Sequence, residues 1–233
     1  MNAEFILREL LSVADSEKAK FLQRFFKTGK GQYAEGDVML GIAVPLTRDI
    51  VKKSQALPFN DIQILLDSEY HEARLAGLLF LVKQFKKAKE AERKEIFDFY
   101  LKNARKANNW DLVDLTCRDV IGLYLLDKTD RSILYRLAES DNLWEQRMAV
   151  VSTWTFIKNR QLGDTLAVAE KLLSHKHDLI HKAVGWMLRE VGKKDRQTLV
   201  DFLETHYKNM PRTALRYAIE HFSPEERAYF MKR

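Results

Sequence analysis

The chain has 233 residues, 46% hydrophobic and 31% charged, with a formal net charge of +6 and a pI near 9.2. That balance excludes a disordered chain, and the longest clean apolar stretch, LAGLLFLV at 75–82, is too short to span a bilayer. The single cysteine, Cys117, excludes an intramolecular disulfide and fits a reducing compartment.

The N-terminus, MNAEFILREL, carries Glu4 early and lacks a basic stretch followed by a long apolar core, so a soluble cytoplasmic protein without a signal peptide is expected. From there the pattern is helical. AEFILRELLSVA, EKAKFLQRFFK, PLTRDIVKKS, NDIQILLDS, EARLAGLLFLVKQFKK and ERKEIFDFYLKNARK each place apolar residues at three- and four-residue spacing. One long break, the glycine-rich TGKGQYAEGD at 28–37, interrupts them. Asp15, Asn60, Asn109, Asp130, Asp141, Asp164 and Asp178 are expected N-caps. Pro45, Pro211 and Pro224 fall where a first turn tolerates proline. No segment sustains strand alternation, so the predicted class is all-α.

The helices also repeat. HEARLAGLLFLVK starts at 71 and WEQRMAVVSTWTFIK at 144, both carrying E-x-R-x-A before a bulky apolar run. Midway between them starts NNWDLVDLTCRDVIG, and one interval beyond 144 comes IHKAVGWMLREVG. A recurrence of about 36 residues is the length of a helical-hairpin repeat. The expected architecture is an α-solenoid of HEAT-like hairpins forming a single domain over 1–233, curved, with a basic concave face. The helices holding Arg74, Asp114, Arg147 and Trp186 would line its inner wall.

Several residues on those helices are out of place. In 178–192 the apolar stripe is Ile180, Ala183, Val184, Met187, Leu188 and Val191, and Trp186 lies roughly 130° from its centre. That puts the indole beside Lys182, Arg189 and Lys193, either to pack on a neighbouring repeat or to meet a ligand. Arg147 emerges among Leu143, Trp144, Val150 and Val151. It either snorkels or pairs with an acid such as Glu145, or it is held rigid to grip a phosphate. In NNWDLVD, Asn109 caps a helix and Asp111 sits in its first turn, where the helix dipole favours an anion, so Asp111 is read as structural. Trp110 and Asp114, four apart, share one face next to the stripe Val113, Thr116, Cys117, Val120 and Tyr124. Asp114 is then either an i,i+4 partner of Arg118 or a carboxylate working beside an aromatic wall.

Two other groupings carry less. HKHDLIH supplies His175, His177 and His181, but no carboxylate or cysteine completes a metal set, and no metal is expected. KQFKKAKEAERKE at 83–95 reads as a solvated charge run or an ancillary backbone contact.

In order and spacing, NNWDLVD, WEQRMAV and KAVGWMLREVGK resemble the bacterial DNA alkylation repair glycosylases built of HEAT-like repeats, the AlkD type. The resemblance extends from MLGIAVPLTRDI to PRTALRYAIEHF, departing at Ala43-Val44, which are apolar where relatives carry polar residues. It implies a monomer that binds duplex DNA carrying alkylated purines, uses no cofactor and excises cationic N3- and N7-alkylated bases. By position, Asp114 matches the catalytic carboxylate, and Trp110 and Trp186 match the aromatics flanking the lesion's deoxyribose. Arg147 matches an arginine on the backbone, Arg189 adds a phosphate contact, and Lys182 and Arg118 are further expected DNA contacts. The resemblance also gives Asp114 a use in a basic protein: cleavage builds positive charge on the sugar, which a carboxylate stabilises. A non-catalytic DNA-binding repeat protein and a helical scaffold for protein partners are the rival readings.

Overall fold

The computed structural model describes residues 1–232. Helix dominates, and among the described residues the only extended pairing is an isolated bridge between Val38 and Tyr70. The all-α expectation therefore holds. By its internal contacts the chain divides into two compact units, Met1–Thr116 and Cys117–Arg233.

The first unit contains α1 (Ala3–Ser12), α2 (Ser16–Phe25), α3 (Val44–Lys53), α4 (Phe59–Leu66), α5 (His71–Lys87), α6 (Glu90–Lys102) and the short α7 (Trp110–Asp114). α5 is its centre. It packs on α3, α4 and α6, and its residues from His71 to Val82 are all buried. A helix apolar on every side belongs inside a protein, and here even its polar first turn is sunk. Glu72 accepts hydrogen bonds from the backbone N–H groups of Leu40 (2.8 Å), Gly41 (2.9 Å) and Ile42 (3.1 Å). Gly41 is required on two counts: its φ is +81°, and a Cβ there would run into the Asp15 carbonyl and come within 2.7 Å of the Ala19 nitrogen.

The second unit opens with a π-helical turn, Arg118–Gly122, leading into α8 (Leu123–Leu125). There follow α9 (Ser132–Ala138), α10 (Leu143–Ser152), α11 (Trp154–Lys158), α12 (Gly163–Leu172), α13 (Asp178–Lys194), α14 (Arg196–His206), α15 (Arg212–Ala218) and α16 (Pro224–Met231). α13 is the counterpart of α5, packed on α10, α12, α14 and above all α15. The stripe Ile180, Ala183, Val184, Met187, Leu188 and Val191 is buried, as its spacing predicts. At Gly185 the two helices come so close that a Cβ would strike the Ala214 carbonyl and lie 2.5 Å from the Tyr217 Cβ.

The capping expectations hold in part. Asp15 caps α2 through Glu17 and Lys18, and Asn109 caps α7 through the Trp110 N–H (2.8 Å). Asp130 accepts from the Ser132 N–H one residue ahead of the helix boundary. Asn142 and His177, rather than Asp141 and Asp178, cap α10 and α13, and Asn60 lies inside α4. Asp164 is drawn away by Arg131 (2.7 Å) and the Tyr135 hydroxyl (2.8 Å). Pro45 and Pro224 sit in first turns, and Pro211 immediately precedes one.

Candidate nucleic-acid interface

In the first unit the NNWDLVD stretch stands on a buried polar network. Asp37, in the glycine-rich loop, accepts from Arg74 Nη2 (2.7 Å) and Asn108 Nδ2 (2.7 Å). Arg74 also donates to Asn108 Oδ1 (3.1 Å) and to the carbonyls of Ser68 and Glu69. His71 lies between two carboxylates, with Nδ1 3.2 Å from Asp37 and Nε2 2.9 Å from Asp111. An imidazole whose two nitrogens both face carboxylates must donate from both, which requires the cation. Burial opposes that charge, but the hydrogen bonds and charges of Asp111 and Asp37 outweigh it and raise the His71 pKa to about 9. Burial likewise opposes ionisation of Asp37, yet the His71 hydrogen bond and the Arg74 charge hold its carboxyl below the usual aspartate value.

This network fixes the turn that presents Trp110. Phe26 touches the His71 ring at 5.1 Å and stacks on Trp110 at 5.3 Å, while Phe25 meets Trp110 edge-on at 6.0 Å. The far end of α7 is tied down by Thr116, whose hydroxyl contacts the Leu112 carbonyl (2.6 Å) and the Tyr100 hydroxyl (2.8 Å). Trp110 and Asp114 are left half-buried at the two ends of one turn, whereas Asp111 between them is buried. The structural reading of Asp111 gains a partner in His71. The network itself was not legible: Asp37 and Asp111 lie 34 and 40 residues from His71. The Phe25-Phe26 doublet was a signal that could have been followed.

In the second unit Arg118 is the focus. Its guanidinium lies 4.7 Å from the Trp154 ring centroid and 6.0 Å from that of Trp186. Lys158 approaches the other partner of this pair, Trp154, at 4.8 Å. Arg118 starts the π turn, and Thr155 fixes its backbone by donating to its carbonyl (2.9 Å). Trp186 is half-buried, off the buried stripe, as its angular position predicts. Trp154, also half-buried, escaped the sequence reading because STWTF follows α10 as an apparent continuation of a core helix.

The remaining expected contacts are more engaged than their spacing suggests. Arg147 is only 5% exposed and donates from Nη1 to the Leu179 carbonyl (2.6 Å), holding the first turn of α13. The picture of an arginine presented to a phosphate meets a side chain sunk in the fold. Arg189 pairs with Glu220, and Lys182 with Asp178 at 2.7 Å. Such partly exposed pairs are worth about 0–1 kcal/mol. The three histidines of HKHDLIH bind backbone and one another. His175 Nδ1 accepts from the His177 N–H, His177 Nδ1 accepts from the Leu179 N–H, and His181 Nε2 donates to the His175 carbonyl. The 83–95 charge run is not wholly solvated either. Lys83 donates to the Val51, Lys52 and Ser54 carbonyls at the end of α3, and Arg93 lies over the Phe85 ring at 5.2 Å. Beside Lys83, Arg48, Lys52, Lys86 and Lys87 rim a cleft of about 520 Å³ floored by Val51 and Leu79.

Residues 6–222 match the model of a family described as DNA alkylation repair enzyme. The chain belongs to that family. Among solved structures it is similar to a predicted DNA alkylation repair enzyme from Enterococcus faecalis, with a TM-score of 0.71 and 18% identity, covering 91% of this chain and 97% of the other. At that identity the likeness speaks for the fold. No curated protein matches the chain. Among the described residues no helix is long and apolar enough to cross a membrane.

Proposed function

We propose that this family member is a DNA glycosylase that releases cationic N3- and N7-alkylated purines, such as 3-methyladenine and 7-methylguanine, from duplex DNA. The observation that carries this reading is the contrast between two aspartates on one turn. Asp111 is buried against His71, whereas Asp114, one turn from the half-buried Trp110, is reached in part by solvent. The reading therefore gives the reaction to Asp114 and the scaffold role to Asp111.

Alkylation at N3 or N7 leaves the purine positively charged. The C1′–N bond then breaks with its electron pair moving to the base, which departs neutral and needs no general acid. Positive charge develops on the sugar, where the Asp114 carboxylate stabilises it and accepts a proton from the water that attacks C1′. The electron-rich face of Trp110 favours the same cationic sugar. In the second unit, Arg118, Lys182 and Arg189 supply cations for the phosphate backbone. Arg147, already bonded to Leu179, acts by holding the start of α13.

The test is base release from methylated duplex DNA by wild type and Asp114→Asn. Wild type is expected to release 7-methylguanine or 3-methyladenine. The variant should bind DNA comparably and release base about 10²–10³-fold more slowly, the usual effect of removing one transition-state electrostatic group. Equal release by both refutes the role of Asp114. Salt-sensitive DNA binding without release by wild type would indicate a non-catalytic binder, and no salt-sensitive binding a protein scaffold.

A further inference from the structure

No residue of α2 is buried, although two of its side chains are phenylalanines. Phe21 is 62% exposed and Phe25 52%. Four residues apart, their rings stack at 6.2 Å with planes 15° apart, and Phe25 continues into the edge of Trp110. A row of aromatic rings therefore runs along the outside of α2 and ends at the tryptophan assigned above to the reaction. Contiguous exposed apolar surface of this kind marks a binding site.

The charge beside the row selects the partner. The adjoining cleft is lined by Arg24, Lys27 and Lys20, the last also paired with Glu17 at 2.8 Å, together with Gln23, Thr28 and Gln32. Lys27 ends α2 with φ +57°, left-handed backbone where glycine is the usual residue. Cations and amides next to bare ring faces match a nucleic acid: phosphates take the cleft, and any base free of its stack takes the rings, since every base has a π-face. An apolar protein partner would leave the cations unused.

We propose that Phe21 and Phe25 form a base-stacking ledge for duplex DNA interrupted at a damaged step, engaging a base that has lost its pairing partner while Lys20, Arg24 and Lys27 hold the neighbouring phosphates. The ledge rests on the DNA reading of the Trp110 site and not on the base-release chemistry.

The experiment compares two duplexes of one sequence, one continuous and one carrying a tetrahydrofuran abasic residue opposite 2-aminopurine. Binding is followed by anisotropy and stacking by 2-aminopurine quenching. Wild type should bind the interrupted duplex about tenfold more tightly, the scale of one base–aromatic stack, and quench the probe. Phe21→Ala/Phe25→Ala should lose both preference and quenching. Phe21→Leu/Phe25→Leu, which keeps apolar bulk without a ring, should behave the same way, with circular dichroism confirming the fold. Phe21→Ala alone, at a side chain outside the Trp110 contact, should bind the continuous duplex like wild type and lose part of the preference. Preference and quenching retained in the alanine pair, or no preference in wild type, overturns the ledge. Release of 7-methylguanine by the same preparations separates the two readings. Preference without release sinks the catalytic reading and leaves the ledge standing; release without preference does the reverse.

Discussion

The cationic state of His71 makes a quantitative demand on stability. The folded protein holds the imidazole with a pKa of about 9, against a model value of 6.5. Between those values the folded chain binds a proton that the unfolded chain has released, so stability falls as pH rises. The contribution is complete below pH 6.5, declines by about 1.4 kcal/mol per pH unit above it, and is gone once pH passes about 9. Across the window the loss is about 3 kcal/mol, a large share of a typical domain's 5–15 kcal/mol. Replacing His71 by Gln removes the titrating group and leaves Asp111 buried without its cation, which should cost about 3–5 kcal/mol at pH 6.5. Urea unfolding of both proteins at intervals from pH 6 to pH 10 reads the effect. Asp37, held below the usual aspartate value, stays ionised throughout, and the Tyr135 phenol, pushed up to about 12 first by burial and then by Asp164, stays protonated. The gap between wild type and variant should be widest at the acid end and narrow by about 3 kcal/mol on reaching pH 9 to 10. A gap that stays constant over that range would refute a charged imidazole between Asp37 and Asp111.

Two further substitutions test the frame around the site. Gly185→Ala gains about 1 kcal/mol of intrinsic helix propensity. It also drives a methyl into the Ala214 carbonyl, and overpacking costs about 1–3 kcal/mol, so thermal unfolding should shift down by a few degrees; a raised midpoint would show that α13 and α15 are not in close contact there. Glu72→Gln replaces a carboxylate that accepts three N–H bonds with an amide having one accepting oxygen. Hydrogen bonds to charged groups are worth about 1.5–3 kcal/mol. Amide exchange at 40–42 should therefore accelerate markedly, and unchanged protection would count against the anchoring role.

The helices were legible because burial imprints a 3.6-residue period, and α13 shows this directly: all six residues of its expected stripe are buried, with Trp186 off it. The same period misleads where a helix has no interior face. Phe21 and Phe25 read as one more apolar stripe, yet α2 leaves both in solvent. Long-range polar pairing leaves no local trace. Nothing at position 71 points to a carboxylate 34 residues earlier, and nothing at Arg147 points to a carbonyl 32 residues later. Trp110, Asp114 and Trp186 stood out for the opposite reason, since the helical period alone gave them no place. Asp141 and Asp178 were misplaced as caps by one residue because a neighbouring side chain reaches the same N–H groups.

Both arginines of the repeated E-x-R-x-A pattern, Arg74 and Arg147, are buried and clasp main-chain oxygens. The motif that announces the internal repetition is thus mortar between bricks. Relatives built on this scaffold should keep both guanidinium anchors whatever they do to DNA. Sorting them by activity therefore requires reading the positions the architecture could spare.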